Sequence, residues 1–155
     1  MTGISFESPV GAIKAARSAD LSHIQWLLNL QNLPNEDITQ AALEHFLVCR
    51  DAIGVVGVAG VVGLEYYGNV ALLRSLVIAD GVAGRGLGRR LVAAAKYFVR
   101  QHQVRSIYLL TTTAEAFFAA WGFRCIPRDC APRAIEDSSQ FKSLCPSTAV
   151  LMVKP

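Results

Sequence analysis

Two periods of apolar and polar positions alternate along the chain, and their order sketches the fold. Ile13 to Arg17 reads as a short strand. Inward positions at Leu21, Ile24, Leu27, Leu28 and Gln31 fall three and four apart, which predicts a helix opened at Ser18 or Asp20 and closed by Pro34. A second helix is expected from Asp37 or Thr39 to about Glu44. Phe46 to Arg50 reads as a strand that turns at Asp51-Ala52. A long Val- and Gly-rich strand follows from Ile53 to Tyr67, its glycines taken as bulges. Gly68-Asn69 is a hairpin signal leading into a strand from Val70 to Ile78.

Beyond a glycine-rich loop, the stripe Leu87, Leu91, Val92, Ala95, Phe98 and Val99 predicts a helix to about His102. Ser106 to Thr111 is apolar enough for another strand. Thr112, with Glu115 three residues on, has capping-box spacing and opens a helix that Gly122 ends. Arg124 to Ile126 is a sixth strand, Pro127 to Pro146 a loop with one or two helical turns, and Ala149 to Val153 the last strand. This mixture reads as α/β (α+β), with a single mixed, mostly antiparallel sheet flanked by helices. No linker or internal repeat interrupts it, so residues 1–155 read as one domain.

Composition supports a filled core: 52% of the 155 residues are hydrophobic and 17% charged. The uncharged, Val- and Gly-rich run from Ala52 to Leu64 falls short of the roughly 20 apolar residues of a spanning helix, so no membrane contact is expected. No basic segment followed by an apolar one opens the chain, and Glu7 interrupts its start. Cys49, Cys125, Cys130 and Cys145 show neither CxxC spacing nor a histidine at ligand spacing. They read as reduced thiols of a cytoplasmic protein without a metal.

The net charge of +3 excludes a polybasic nucleic-acid binder, but its distribution is uneven. Between Asp80 and Glu115 there is no acidic residue, while Arg85, Arg89, Arg90, Lys96, Arg100 and Arg105 are all basic. The rest of the chain carries nine basic against twelve acidic residues, taking those six from the total of fifteen. The basic stretch begins at Gly84-Arg85-Gly86-Leu87-Gly88, where a helix starts. Free amides and the helix dipole there favour a phosphate, and alternate glycines let a ligand approach the backbone. A dinucleotide fingerprint fails because its last glycine position holds Arg89. A P-loop fails because no Lys-Ser/Thr follows.

Ala83-Gly84-Arg85-Gly86-Leu87-Gly88 resembles the coenzyme A loop of the GCN5-related N-acetyltransferase (GNAT) superfamily, Gln/Arg-x-x-Gly-x-Gly/Ala, with Ala83 at the usual Gln or Arg. The order of predicted elements resembles that family over residues 13 to 126 and again at 149 to 153. Thr112 to Phe123 resembles its penultimate-helix signature, with Thr112 at the usual Asn and Phe118 at the usual Tyr. Residues 109–118 and 143–152 further resemble small N-acetyltransferases of arsenic-resistance clusters, the ArsN type. The resemblance implies a GNAT acyl-CoA N-acyltransferase fold and acetyl-CoA as co-substrate. Leu76, Val77 and Ile78 would then orient the pantetheine and polarise the thioester. Gly84, Arg85, Gly86, Leu87, Gly88 and Arg89 would take the pyrophosphate, and Thr112 and Phe118 would line the coenzyme site without the usual thiolate acid.

The strands offer one acid, Glu65. A two-residue turn at Gly68-Asn69 pairs it with Leu72 and places Arg74 diagonally on the same face. Glu65 could then take the proton of an attacking amine, with Arg74 holding an acceptor carboxylate. The other reading is a structural ion pair covering a sheet face. Tyr66, Tyr67 and Tyr108 are alternative thiolate acids. His23, His45 and His102 read as structural, and Arg128 and Arg133 as either a lid or a solvated loop. The expected function is transfer of acetyl from acetyl-CoA to a small, anionic, amino-acid-like amine by direct attack. A non-catalytic coenzyme A-binding or regulatory module is the alternative, and pairing into a homodimer stays open.

Overall fold

The computed structural model describes residues 13–50, 57–82 and 86–155. Seven strands form one mixed sheet: β1 (Ile13–Ala15), β2 (Phe46–Arg50), β3 (Val58–Tyr67), β4 (Val70–Ile78), β5 (Ser106–Thr111), β6 (Arg124–Ile126) and β7 (Val150–Lys154). Their hydrogen-bonded order is β1-β2-β3-β4-β5-β7-β6. The β4–β5 pair is parallel, and the registered pairs on either side of it are antiparallel. The helices are α1 (Leu21–Leu30), α2 (Leu87–Gln101), α3 (Glu115–Ala119) and α4 (Arg133–Glu136). The expected mixed sheet with flanking helices is therefore what the chain forms.

The chain divides into two compact units, the first ending at Leu64 and resuming over Ser75–Phe98, the second comprising Glu65–Arg74 and Val99–Pro155. In the first, Ile24, Leu27 and Leu28 of α1 bury against Phe46 and Val48 of β2, Val58 and Val61 of β3, and Val77 of β4. Gly60 points the other way. A Cβ on it would lie 3.0–3.1 Å from the side chains of Leu91, Ile78 and Leu87, so the missing side chain seats the start of α2 on the sheet. In the second, Leu72, Ile135 and Leu151 form the centre, with Tyr67, Tyr108, Leu110 and Phe141 packed around it.

Several expectations are corrected. The helix expected before Glu44 is only a 3-10 turn over Ala42–His45. Thr39 Oγ1 accepts the Ala42 amide at 3.2 Å, so a local side-chain bond replaces a helical one. The glycines of β3 are not a series of bulges: the register slips once, between Cys49 and Arg50 opposite Gly60 and Val58. Gly63 pairs with Phe46, whose ring occupies the space of the absent side chain. Gly54 and the Asp51-Ala52 turn lie outside the described residues. The capping box at Thr112 does not form. Thr111 Oγ1 accepts the Ala114 amide at 3.0 Å, and α3 begins three residues after Thr112. Gly122, at φ +93°, ends that helix as expected, with the Phe123 amide bonded to the Phe118 carbonyl at 3.2 Å.

Candidate active site

The hairpin joining β3 to β4 turns through two residues, with Gly68 at φ +64° in the first central position, where a primed turn needs a left-handed residue. That register brings Glu65 and Arg74 together. Arg74 Nη1 donates to Glu65 Oε2 at 2.7 Å, and the Tyr67 hydroxyl donates to Glu65 Oε1. The Arg74 side chain is 2% exposed and that of Glu65 23% exposed. Glu65 is thus the reachable member, an acceptor-only carboxylate held from both sides, and each of its oxygens has a second lone pair to offer. The buried guanidinium is turned onto Glu65.

The sheet face bearing Tyr67 and Leu72 is roofed by Ala131, Ile135 and Phe141. Arg128 donates to the carbonyls of Ala149 at 2.9 Å and Phe141 at 3.3 Å, and its guanidinium lies 4.5 Å from the Phe141 ring centroid. Arg133 is exposed and 3.6 Å from Asp137. On the opposite face of β3, Tyr66 stacks on His102 with ring centroids 4.1 Å apart, and burial raises its pKa, so it stays a protonated phenol. Phe118 is buried, edge-on to Phe117 and Phe123, and brings no hydroxyl to the usual tyrosine position. Thr112 is exposed.

The residues expected to hold the coenzyme belong to the first unit, apart from Thr112 and Phe118. Val77 is buried, while Leu76 and Ile78 are half-buried. The Ile78 carbonyl accepts from Gln31 Nε2 at 3.1 Å and the Ala79 amide donates to the Ala59 carbonyl at 2.8 Å, so the end of β4 is fastened from two sides. Gly84 and Arg85 lie outside the described residues. Gly86, at φ +77°, has none of the described residues within 4 Å of where a Cβ would be. Among the described residues, α2 starts with an i→i−4 bond from the Arg90 amide to the Gly86 carbonyl at 3.2 Å. Arg89 is exposed.

Three features escaped the sequence. Ser75 stands at φ +61° in the middle of β4, an uncommon conformation for a serine and one that breaks the alternation of side chains between Arg74 and Leu76. A serine in a strand gives no sign of it. His23 Nδ1 accepts the Val58 amide at 3.1 Å, a clamp between α1 and β3 that periodicity does not show. Arg90 is the third. Its Nε and Nη2 are buried with no hydrogen-bond partner among the described residues. The spacing from Leu87 and to Ala94, both buried, was the available signal. The start of a helix leaves its initial amides without intrahelical acceptors, and such a position on α2 fits a phosphorylated ligand.

No helix among the described residues is long and apolar enough to cross a membrane. A family model described as an acetyltransferase (GNAT) domain matches residues 42–125, more than half of the chain. Among solved structures, Rv2747 of Mycobacterium tuberculosis, in complex with CoA, aligns at a TM-score of 0.77 and 19% identity over 92% of this chain and 97% of its own. N-acetylglutamate synthase of Neisseria gonorrhoeae, complexed with coenzyme A and L-arginine, aligns at 0.77 and 18% over 92% of this chain. The aligned part is 32% of the synthase chain. A GNAT-family acetyltransferase of Staphylococcus aureus aligns at 0.68 and 19%, over 92% of this chain and 96% of its own. At these identities the likeness is one of fold.

Proposed function

Because the chain belongs to the GNAT acetyltransferase family, we propose that it transfers an acetyl group from acetyl-CoA to the amine of a small, anionic, amino-acid-like acceptor. The observation that carries this reading is Glu65, reachable yet held between Arg74 and Tyr67. Acetyl-CoA supplies the acetyl group as a thioester, whose carbonyl carbon the acceptor nitrogen attacks and whose thiolate leaves. Glu65 takes the proton that the nitrogen sheds, directly or through one water. Arg74 keeps that carboxylate fixed through its hydrogen bond to Oε2 and acts as a positioning residue. The Tyr67 hydroxyl, donating to the same carboxylate, restricts it to one rotamer. The backbone of Leu76, Val77 and Ile78 orients the pantetheine arm and donates to the thioester oxygen, a kind of contact commonly worth about 3 kcal/mol. Gly84 to Arg89 take the pyrophosphate.

Phe118 supplies no acid, and the leaving thiolate needs none of high strength, because a thiol is acidic within about two pH units of neutrality. The small size of the acceptor is supported by the resemblance of segments 109–118 and 143–152 to the ArsN type, and its anionic, amino-acid-like character by the position of Arg74 and by the name of the fold relative from Neisseria, N-acetylglutamate synthase. The test is thiol release from acetyl-CoA against a panel of amines: acidic and neutral amino acids, polyamines and an N-terminal peptide. Turnover concentrated in the acidic amino acids is expected. Turnover with peptides alone would move the acceptor out of the small-molecule class, and acetyl-CoA binding without turnover on any amine would contradict catalysis.

A further inference from the structure

The helix α1 is apolar on two sides. Ile24, Leu27 and Leu28 are buried in the core of the first unit, whereas Trp26 and Leu30, one turn apart on the outward side, are 56% and 58% exposed. These two are the large apolar side chains that stay exposed among the described residues. A surface helix ordinarily turns charge to the solvent. Here no Asp, Glu, Lys or Arg occurs between Asp20 and Glu36. The amides beside the pair are engaged within the chain: Asn29 Oδ1 accepts from Asn35 Nδ2 at 2.7 Å, and Gln31 Nε2 donates to the Ile78 carbonyl at 3.1 Å. The His23 ring, whose Nδ1 accepts the Val58 amide at 3.1 Å, stands edge-on to Trp26 with centroids 5.5 Å apart. Trp26 is thus a braced aromatic anchor, the kind of side chain that loses little freedom on being covered.

The absence of charge selects what can cover this face. A helix lying on a lipid surface carries Lys or Arg along its polar side, and a nucleic-acid contact needs cations for the phosphates. Neither is offered between Asp20 and Glu36. A second copy of this chain meets the requirement. A two-fold contact sets a patch against itself, so a charged patch would repel its own image, and an uncharged one has no such cost. The basic helix α2 packs on the other face of the sheet, against Gly60. We propose that the outward face of α1 is a homodimer contact, in which two α1 helices cross antiparallel about a two-fold axis. An axis passing between Trp26 and Leu30 sets Trp26 of each copy against Leu30 of the other. Two anchors are few, so the dimer belongs to the weak class, with a Kd of about 1–100 μM.

Sedimentation velocity of the full chain, from about tenfold below to tenfold above that range, tests it with two variants, Trp26→Lys and Leu30→Glu. Wild type should pass from monomer to dimer as its concentration rises. Each variant alone should stay monomeric, because its dimer would cover two charges with apolar side chains. An equimolar mixture of the two variants should dimerise again. The mixed dimer keeps one Trp26–Leu30 contact and sets the introduced lysine against the introduced glutamate. Both positions are exposed, so each variant should melt with wild type at concentrations where wild type is monomeric, which separates loss of contact from loss of fold. A wild type that stays monomeric throughout would overturn the proposal. So would a monomer that instead floats with phosphatidylcholine vesicles, which would give the face to a lipid surface. Dimers retained by both variants would put the interface elsewhere and overturn the assignment to α1. Loss of the dimer in both variants without recovery on mixing would overturn the antiparallel pairing of Trp26 with Leu30.

Discussion

Cys125, on the exposed strand β6, donates its thiol to Glu115 Oε2 at 3.1 Å. That hydrogen bond is the main reason its pKa is raised, with loss of solvation and the carboxylate charge adding in the same direction. A raised thiol pKa means less thiolate at any pH below it, so alkylation of Cys125 is slowed. Glu115→Ala should speed its reaction with iodoacetamide at pH 8 several-fold, read by peptide mass; an unchanged rate would show that the carboxylate does not control the thiol. Contacts of this kind are invisible to periodicity, because residues 115 and 125 belong to different elements. Glu65 and Arg74 were legible for the opposite reason. A two-residue turn fixes the register, and the register alone makes them diagonal neighbours on one face. What the register did not show is which of the two is covered: the Arg74 side chain is 2% exposed and that of Glu65 23%.

The strand β4 and the helix α2 were legible in the sequence to within a residue or two, whereas α1 ends at Leu30, before the Pro34 expected to close it, and β3 starts at Val58, with 53–56 outside the described residues. The errors fall where side chains compete with the backbone. Thr39 and Thr111 each bond a nearby amide, which shortens one expected helix to a turn and delays another. The glycines of β3 show a second limit. Apolar spacing cannot tell a bulge from a vacancy filled by a neighbour, and Gly63 is the latter, with the ring of the buried Phe46 over it. A Cβ at Gly63 would lie 2.4–2.8 Å from three atoms of that ring. Gly63→Ala should lower the unfolding free energy by about 1–3 kcal/mol, measured by denaturant titration. Much of that loss should return when Phe46→Leu is added, since the two residues share one space. A Gly63→Ala protein as stable as wild type would mean that the ring can move aside at little cost.

Across the whole molecule, the small net charge conceals a stretch of thirty-four residues without an acid, Gly81 to Ala114, that opens at the glycine loop. The family match covers residues 42–125 and so takes in that loop, the β3–β4 hairpin and α3. On the proposed reading, catalysis would depend on two separable tasks, coenzyme binding at the glycine loop and proton removal by Glu65. They should respond independently to substitution. The most direct measurement is the rate of thiol release by Glu65→Gln at saturating acceptor, with coenzyme A affinity determined in parallel. A fall in kcat of about 10²- to 10⁴-fold, the usual contribution of a general base, with coenzyme A affinity unchanged within a factor of two, is the predicted result. A kcat equal to that of wild type would contradict the account and leave Glu65 as one half of a structural ion pair.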